Sequence, residues 1–326
     1  MVRKTNNVIV LSILIFLLVI PGVKCSRKDT KGTDNSVIDL PETCVSDDYE
    51  IQPLSFGFKP NVGYSLEALR DTTLIYDDEG VLLVDWKGQL CYHPVAMCNK
   101  AFAVIGAYHY EKDTVWLHLA ERYADRLVKE AMEYDGALYY PYRFDYRVHA
   151  REDAQLTAPW FSGMAQGLAL GIMTRLFDET GDSTFLEYAH KTFKSMLRLK
   201  GEAEPWTSFV DDCGCYWIEE YPTDPPSMTL NGFIAAAFGV YDYYQTTGSD
   251  TAARVLKDCF NTVKNYIPVF RRPGDISLYG LTFRHFDAGY HKYHINQLEH
   301  LERMSGDSFF GDWADSLKAD YSGEEE

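Results

Sequence analysis

From about Pro94 onward the chain alternates two kinds of apolar segment. One kind is apolar and small nearly all round, over residues 94–110, 161–178, 229–246 and 292–304; an example is Phe161-Ser162-Gly163-Met164-Ala165-Gln166-Gly167-Leu168-Ala169-Leu170. A helix of that character is buried on most sides. The other kind carries one stripe at spacings of three and four: Trp116, Ala120, Tyr123, Leu127; Phe185, Tyr188, Thr192, Met196; Leu256, Cys259, Val263, Tyr266; Phe310, Trp313, Leu317. That spacing predicts an amphipathic helix with a single face in the core. A short polar break joins each buried segment to its striped successor: Tyr110-Glu111-Lys112-Asp113, Glu179-Thr180-Gly181-Asp182, Thr247-Gly248-Ser249-Asp250 and Met304-Ser305-Gly306-Asp307. Its Asp or Ser supplies the N-cap of the following helix. The repeat predicts a mainly α protein, an α/α toroid of about four helix pairs with inner helices around an axis and outer helices as a jacket.

Connection lengths then locate a site. The inner-to-outer turns are short, whereas the outer-to-inner connections, near 133–159, 199–228 and 268–290, each exceed roughly 20 residues, a length that in a compact domain is usually functional. All three enter the rim where the inner helices begin, so that rim is the expected active site. Ahead of the helices, β-rich runs at 72–76 and 81–86 flank Asp77-Asp78-Glu79-Gly80 and predict a hairpin. The expected division is a small β-containing region over 46–92 and a catalytic domain over 93–326.

The amino terminus changes the picture of location. Residues 8–20 form an apolar run broken only by Ser12, preceded by Arg3 and Lys4. This is the layout of a secretory signal, and the run is shorter than the roughly 20 residues of a membrane span. Residues 1–25 are therefore expected to be a cleaved signal or a retained anchor, residues 26–45 a polar linker, and the protein extracytoplasmic. Seven cysteines are present, and in an oxidising compartment some are expected to pair, with a connectivity that spacing does not reveal. Cys213-Gly214-Cys215 lacks a second ligand pair at zinc-site spacing, so no metal is assigned.

A net charge of −17 argues against nucleic acid or an anionic membrane surface as partner, since that field repels both. An acidic substrate would need a local basic pocket. The 23 Tyr and 6 Trp supply side chains of the kind that line sugar clefts, although core packing accounts for many tyrosines equally well. No nucleotide, flavin or P-loop signature occurs, so no cofactor is expected.

The rim segments are Tyr92-His93-Pro94-Val95, Pro159-Trp160-Phe161-Ser162-Gly163-Met164-Ala165-Gln166-Gly167, Glu219-Glu220-Tyr221-Pro222, Leu230-Asn231-Gly232-Phe233 and His294-Ile295-Asn296-Gln297-Leu298. In this order they resemble the carboxy-terminal catalytic domain of the D-glucuronyl C5-epimerases, over about 76–321. His93 stands where that family carries Asn, extra residues separate Tyr279 from Arg284-His285, and the large amino-terminal β-domain of animal members has little counterpart. The resemblance implies conversion of glucuronate to iduronate within a polysaccharide, with tyrosines as acid and base at Tyr221, Tyr279 and Tyr290. It further implies substrate binding by Glu220 and Arg284, the latter suited to a carboxylate. Trp160 is a candidate sugar platform, and Asn231 and His291 are further candidate substrate contacts. A homodimer is left open.

The chemistry explains these residue types. Removing and returning a proton at C5 needs acid/base groups on both faces of the ring, with donors or a cation at the carboxylate. Ionising a free tyrosine at neutral pH requires roughly 4 kcal/mol, and one cation lowers a pKa by about 1–3 units, so Arg284 alone is marginal. His285, His291, His294 or Lys292 are candidate helpers. A polysaccharide lyase, a glycoside hydrolase using Glu220 with Asp211 or Asp212, and a non-catalytic glycan-binding protein remain as alternatives.

Overall fold

The structure, a computed structural model, describes residues 43–321 and the two-residue strand Gly32–Thr33, which pairs with His285–Phe286. The expected signal segment at 1–25 and most of the polar linker lie outside the described residues. Among the described residues, no helix is long and apolar enough to cross a membrane.

The protein is mainly helical. After a single turn, α1 (Leu66–Leu69), come four pairs: α2 (Pro94–Glu111) with α3 (Thr114–Glu130), α4 (Gly163–Thr180) with α5 (Ser183–Met196), α6 (Leu230–Thr247) with α7 (Asp250–Phe270), and α8 (Ala288–Ser305) with α9 (Ser308–Asp320). The breaks behave as their residues require. Lys112, Gly181, Gly248 and Gly306 end the inner helices in the left-handed conformation. Asp113, Asp182, Ser249 and Asp307 then accept a backbone N–H in the first turn of the outer helices. The outer helices bury the expected stripes, including Trp116, Tyr123 and Leu127 on α3 and Leu256, Cys259, Val263 and Tyr266 on α7.

Each inner helix packs on the next, α2 on α4, α4 on α6 and α6 on α8, and each outer helix packs on its own partner. The α4–α6 crossing brings backbones together. A methyl group on Gly167 would lie 2.6 Å from the Ala236 carbonyl oxygen, and one on Gly239 would lie 2.6 Å from the Gly167 carbonyl carbon. Only glycine allows this approach. The row runs in order from α2 to α8, and closure into a full ring is not among its extensive contacts.

Two differences from expectation follow from capping and turn chemistry. The predicted hairpin forms, Ile75–Tyr76 against Leu82–Trp86, with Asp77 Oδ1 accepting the N–H groups of Glu79 and Val81; a third strand, Gln89–Cys91, extends it. Helix α8 starts at Ala288 rather than near 292, because Asp287 caps it by accepting the Gly289 N–H at 2.9 Å. The last connection is correspondingly shorter than expected.

Cys44 pairs with Cys215 across 171 residues of sequence, while Cys91, Cys98 and Cys259 are buried free thiols. Cys215 is therefore committed to a disulfide rather than to a Cys-Gly-Cys metal pair. Closing so long a loop constrains the unfolded chain, so replacing Cys44 and Cys215 by Ser should lower unfolding stability by about 2–5 kcal/mol in denaturant titration. An unchanged midpoint would show that the amino-terminal segment contributes nothing there.

Candidate active site

The rim where the inner helices begin carries a cluster of acidic and aromatic side chains drawn from all three long connections. Glu220 and Tyr221 follow the strand Tyr216–Ile218, which pairs with Ser208–Val210 in the second connection. Glu219, 1% exposed, braces this segment: its carboxylate accepts the N–H groups of Tyr221 (3.1 Å) and Met228 (2.8 Å). Burial pushes its carboxyl up to about 8.

Tyr279 arrives from the third connection, on the hairpin formed by Leu278–Gly280 and His285–Phe286. Its hydroxyl donates to the Glu220 carboxylate, at 3.3 and 3.2 Å from the two oxygens, and lies 3.2 Å from the Tyr221 hydroxyl. Gly232, in the first turn of α6, makes room for this arrangement. A methyl there would sit 2.6 Å from Glu220 Cβ and 2.7 Å from its carboxyl carbon. Tyr290, in the first turn of α8, packs its ring edge-to-face on Tyr279 with centroids 4.5 Å apart, and at 38% exposure it reaches solvent.

The first connection contributes the wall. Tyr146 stacks on Tyr221 at 5.5 Å, and Trp160 lies behind Tyr146 at 6.0 Å. Trp160 stacks on Tyr142 at 3.9 Å and donates Nε1–H to the Phe144 carbonyl at 2.9 Å. At 6% exposure it backs the wall, and Tyr146 and Tyr221 stand in front of it. His149 stacks on His285 at 3.9 Å, and its ring stands perpendicular to Tyr279 at 5.2 Å. The two histidines are carried by residues in the left-handed region: His149 (φ 52°), Ala150 (φ 60°) and Arg284 (φ 47°). For a side-chain-bearing residue that conformation costs about 1 kcal/mol or more.

The field favours neutral phenols. Tyr221 and Tyr279 are pushed well above the ordinary tyrosine range by burial and, next, by the Glu220 charge. Burial raises Tyr290 and Tyr146 as well, again with Glu220 second. Glu220 itself is raised to about 7 by burial, with hydrogen bonds from Tyr221 and Tyr279 opposing. Among the groups that meet in this cluster, the one whose charge changes near neutral pH is therefore the Glu220 carboxyl, with Glu219 behind it somewhat higher, and the tyrosines act as donors to Glu220.

Tyr221, Tyr279, Tyr290 and Glu220 thus come together, and Arg284 lies on the Tyr279 hairpin, its backbone N–H donating to the Leu281 carbonyl at 3.3 Å. Two expected substrate contacts are placed differently. His291 is fully buried, its Nδ1 accepting the Ser277 N–H at 2.9 Å and its Nε2 lying 2.9 Å from the Leu317 carbonyl. One helical step beyond Tyr290 rotates it by about 100° away from the cleft and toward α9. Asn231 is 1% exposed beside Gly232, its backbone carbonyl accepting from Gln297 Nε2 at 2.8 Å, and its side-chain oxygen has no hydrogen-bond partner among the described residues. Sequence reasoning missed Tyr146 and His149. Their signal was the alternation of arginine and aromatic or histidine residues in Arg143-Phe144-Asp145-Tyr146-Arg147-Val148-His149-Ala150-Arg151, inside the first long connection.

Known proteins resemble the chain in sequence and in fold. An uncharacterized protein of Methanocaldococcus jannaschii is 25% identical over 201 residues, 60% of this chain and 63% of that protein. The D-glucuronyl C5-epimerase of Caenorhabditis elegans is 37% identical over 86 residues, 26% of this chain and 14% of that protein. The chain therefore spans less than two thirds of the length of either relative. Among solved structures, the cellobiose 2-epimerase of Bacillus thermoamylovorans B4167 is similar in fold, with a TM-score of 0.50 at 12% identity over 76% of this chain and 66% of that one. The cellobiose 2-epimerase of Spirochaeta thermophila gives the same score and identity over 76% and 64%. The sequence pattern of the D-glucuronyl C5-epimerase C-terminus matches residues 134–319, more than half of the chain and the stretch that holds Tyr146, Glu220, Tyr221, Tyr279 and Tyr290, so the protein belongs to the D-glucuronyl C5-epimerase C-terminal family.

Proposed function

We propose that the protein is a carbohydrate C5-epimerase that converts D-glucuronate to L-iduronate residues within a polysaccharide, on the rim of an α/α toroid. The observation that carries this is the buried Glu220 carboxylate joined to the Tyr279 and Tyr221 hydroxyls. C5 of a uronate is weakly acidic because the adjacent carboxylate takes up the charge. Its removal needs a base of raised proton affinity in a dry site. A carboxyl at about 7 has that affinity, and a phenol between it and the sugar can pass the proton along. The neutral phenols also serve as donors to the enediolate that forms at the substrate carboxylate, a task in which Arg284 assists.

The hydrolase alternative loses one of its two candidate second carboxylates, Asp211. Asp211 already accepts from the Cys213 and Cys215 N–H groups (2.9 Å each), Trp217 Nε1 (2.8 Å) and the Tyr266 hydroxyl (2.6 Å), which leaves it saturated as a structural brace. An export route, proposed for the amino-terminal segment, accords with the Cys44–Cys215 disulfide, which suits an oxidising compartment.

The test is incubation of glucuronate polymers of several kinds, sulfated and unsulfated, in deuterated water. Deuterium at C5 and an iduronate signal by NMR, with chain length unchanged, are expected. Unsaturated ends would establish a lyase, and new reducing ends a hydrolase. Absence of C5 exchange in every polymer would remove the epimerase.

A further inference from the structure

Tyr279 and Tyr290 stand on different elements, the strand Leu278–Gly280 and the first turn of α8, and their rings meet at 67° with centroids 4.5 Å apart. Proton exchange at C5 requires hydroxyls placed to within about 1 Å, since an error of that size costs on the order of 10²-fold in rate. An edge-to-face ring contact tolerates a range of angles and distances and does not set such a spacing by itself. Strand pairing does not set it either. The register shifts between Leu278 and Gly280, which pair with Phe286 and His285, so Tyr279 falls at the irregularity. Downstream, Gly280 bridges Thr229 and the Leu281 N–H donates to the Met228 carbonyl at 3.2 Å; these contacts tie the strand to the start of α6, not to α8.

Upstream, buried polar groups join the strand to α8. Ser277, two residues before Tyr279, and His291, one residue after Tyr290, are 1% and 0% exposed. The Ser277 N–H donates to His291 Nδ1 at 2.9 Å, and the Ser277 hydroxyl lies 2.9 Å from the same nitrogen and 2.9 Å from Nδ1 of His294, which is also fully buried. An Nδ1 that accepts an N–H carries no proton, so the neutral ring holds its proton on Nε2 and donates it to the Leu317 carbonyl at 2.9 Å. Burial, the chief influence on this ring, lowers its pKa and favours that neutral form. One imidazole therefore joins the tyrosine strand, α8 and the last turn of α9. Apolar side chains would fill this space without the cost of burying polar atoms. What the imidazole adds is a fixed distance and direction to each partner.

We propose that His291, anchored on Ser277, is a positioning residue for the proton exchange: it sets the spacing of the Tyr290 phenol from Tyr279, and through Tyr279 from Glu220. This role rests on the epimerase reading above. His291 touches no substrate and moves no proton. The Ser277 link carries its effect on the phenols, and the Leu317 link orders the ring and contributes to stability.

Two amide substitutions separate the links. In His291→Asn the side-chain oxygen stands near the place of Nδ1 and can accept the Ser277 N–H, but nothing reaches Leu317. In His291→Gln the amide nitrogen stands near the place of Nε2 and can donate to Leu317, but nothing accepts from Ser277. Conversion of glucuronate polymer is followed by NMR, together with thermal unfolding and the ring-proton shifts of ¹³C-labelled tyrosine, which report the Tyr279–Tyr290 contact through ring currents. His291→Gln should lose about 10²-fold in kcat with KM changed by no more than about twofold, and the shifts of Tyr279 and Tyr290 should move. His291→Asn should stay within about tenfold of the wild-type kcat, with those shifts nearly in place. Each variant loses one bond from a buried ring, so both should melt below wild type, and a purely structural role would make kcat fall equally in the two. Equal kcat in the two variants, a loss expressed in KM rather than kcat, or wild-type tyrosine shifts in His291→Gln overturns the role. If either fails to fold, Ser277→Ala, which removes only the hydroxyl between two imidazoles, takes its place. Its kcat should fall about three- to tenfold at unchanged KM, with the shifts displaced; wild-type kcat there overturns the role. A wild type that exchanges no C5 hydrogen removes the epimerase reading and the catalytic purpose of this spacing, whereas an active wild type with unmoved shifts in the variants removes the positioning role alone.

Discussion

Replacing Glu220 by glutamine should lower epimerase turnover about 10²–10⁴-fold, the usual contribution of a positioned acid or base, with KM little changed. Glutamine keeps the shape beside Gly232 and an oxygen that can accept from Tyr279, yet it cannot take up a proton. The wild-type rate should rise with pH through about 7 as this carboxyl ionises; the glutamine variant should show no such limb. Linkage gives an independent readout. The folded-state pKa of Glu220 lies above the ordinary glutamate value of 4.5, so the neutral form is the one favoured by folding. The stability this represents is fully present below about 4.5 and is lost as pH rises through 7. Thermal unfolding should therefore show Glu220→Gln equal to wild type at pH 4 and more stable than wild type at pH 8. A variant that is less stable at pH 8, or one that keeps wild-type turnover, would contradict a buried, ionising carboxyl at the centre of the site.

The largest loss of stability is expected at the far ends of the inner helices. Arg175 on α4 is 2% exposed and donates Nε–H to Asp242 on α6 at 2.8 Å, while its other nitrogens donate to the carbonyls of Asn61 (3.1 Å) and Pro60 (2.8 Å). Lys59 adds a second cation 3.1 Å from Asp242. The guanidinium also lies over the Phe102 ring at 4.7 Å. This group ties two inner helices to the segment 59–61 in a dry environment. Asp242→Ala would leave a buried guanidinium without its counter-charge, at a cost of about 3–5 kcal/mol. Because a buried ion pair is offset by its desolvation, Asp242→Leu combined with Arg175→Met should cost less than Asp242→Ala alone. Turnover at temperatures where the variants remain folded should be unaltered, since the cluster sits at the opposite end of the helices from Glu220. A loss below 1 kcal/mol for Asp242→Ala would indicate that water reaches the guanidinium.

By itself the sequence determined the repeat. Capping residues and glycines act within one turn of their own position, which is why the breaks at Lys112-Asp113, Gly181-Asp182, Gly248-Ser249 and Gly306-Asp307 could be read directly, together with the faces of α3, α5, α7 and α9. Connection lengths are local as well, and they pointed to the rim on which Glu220, Tyr221, Tyr279 and Tyr290 meet. The tertiary structure decided what those side chains are to one another. Glu220 and Tyr279 are 59 residues apart, and their approach depends on Gly232 leaving space on a third element. Whether an acid is raised or lowered depends on burial and neighbours that no spacing records, so Glu220 moved from a binding role to the proposed centre of proton exchange only once its surroundings were seen. Helix phase did the same for His291, which α8 turns inward one step after Tyr290. His149, unremarkable in sequence, reached the phenols because a packed strap holds its backbone in a conformation that local preference alone would not select.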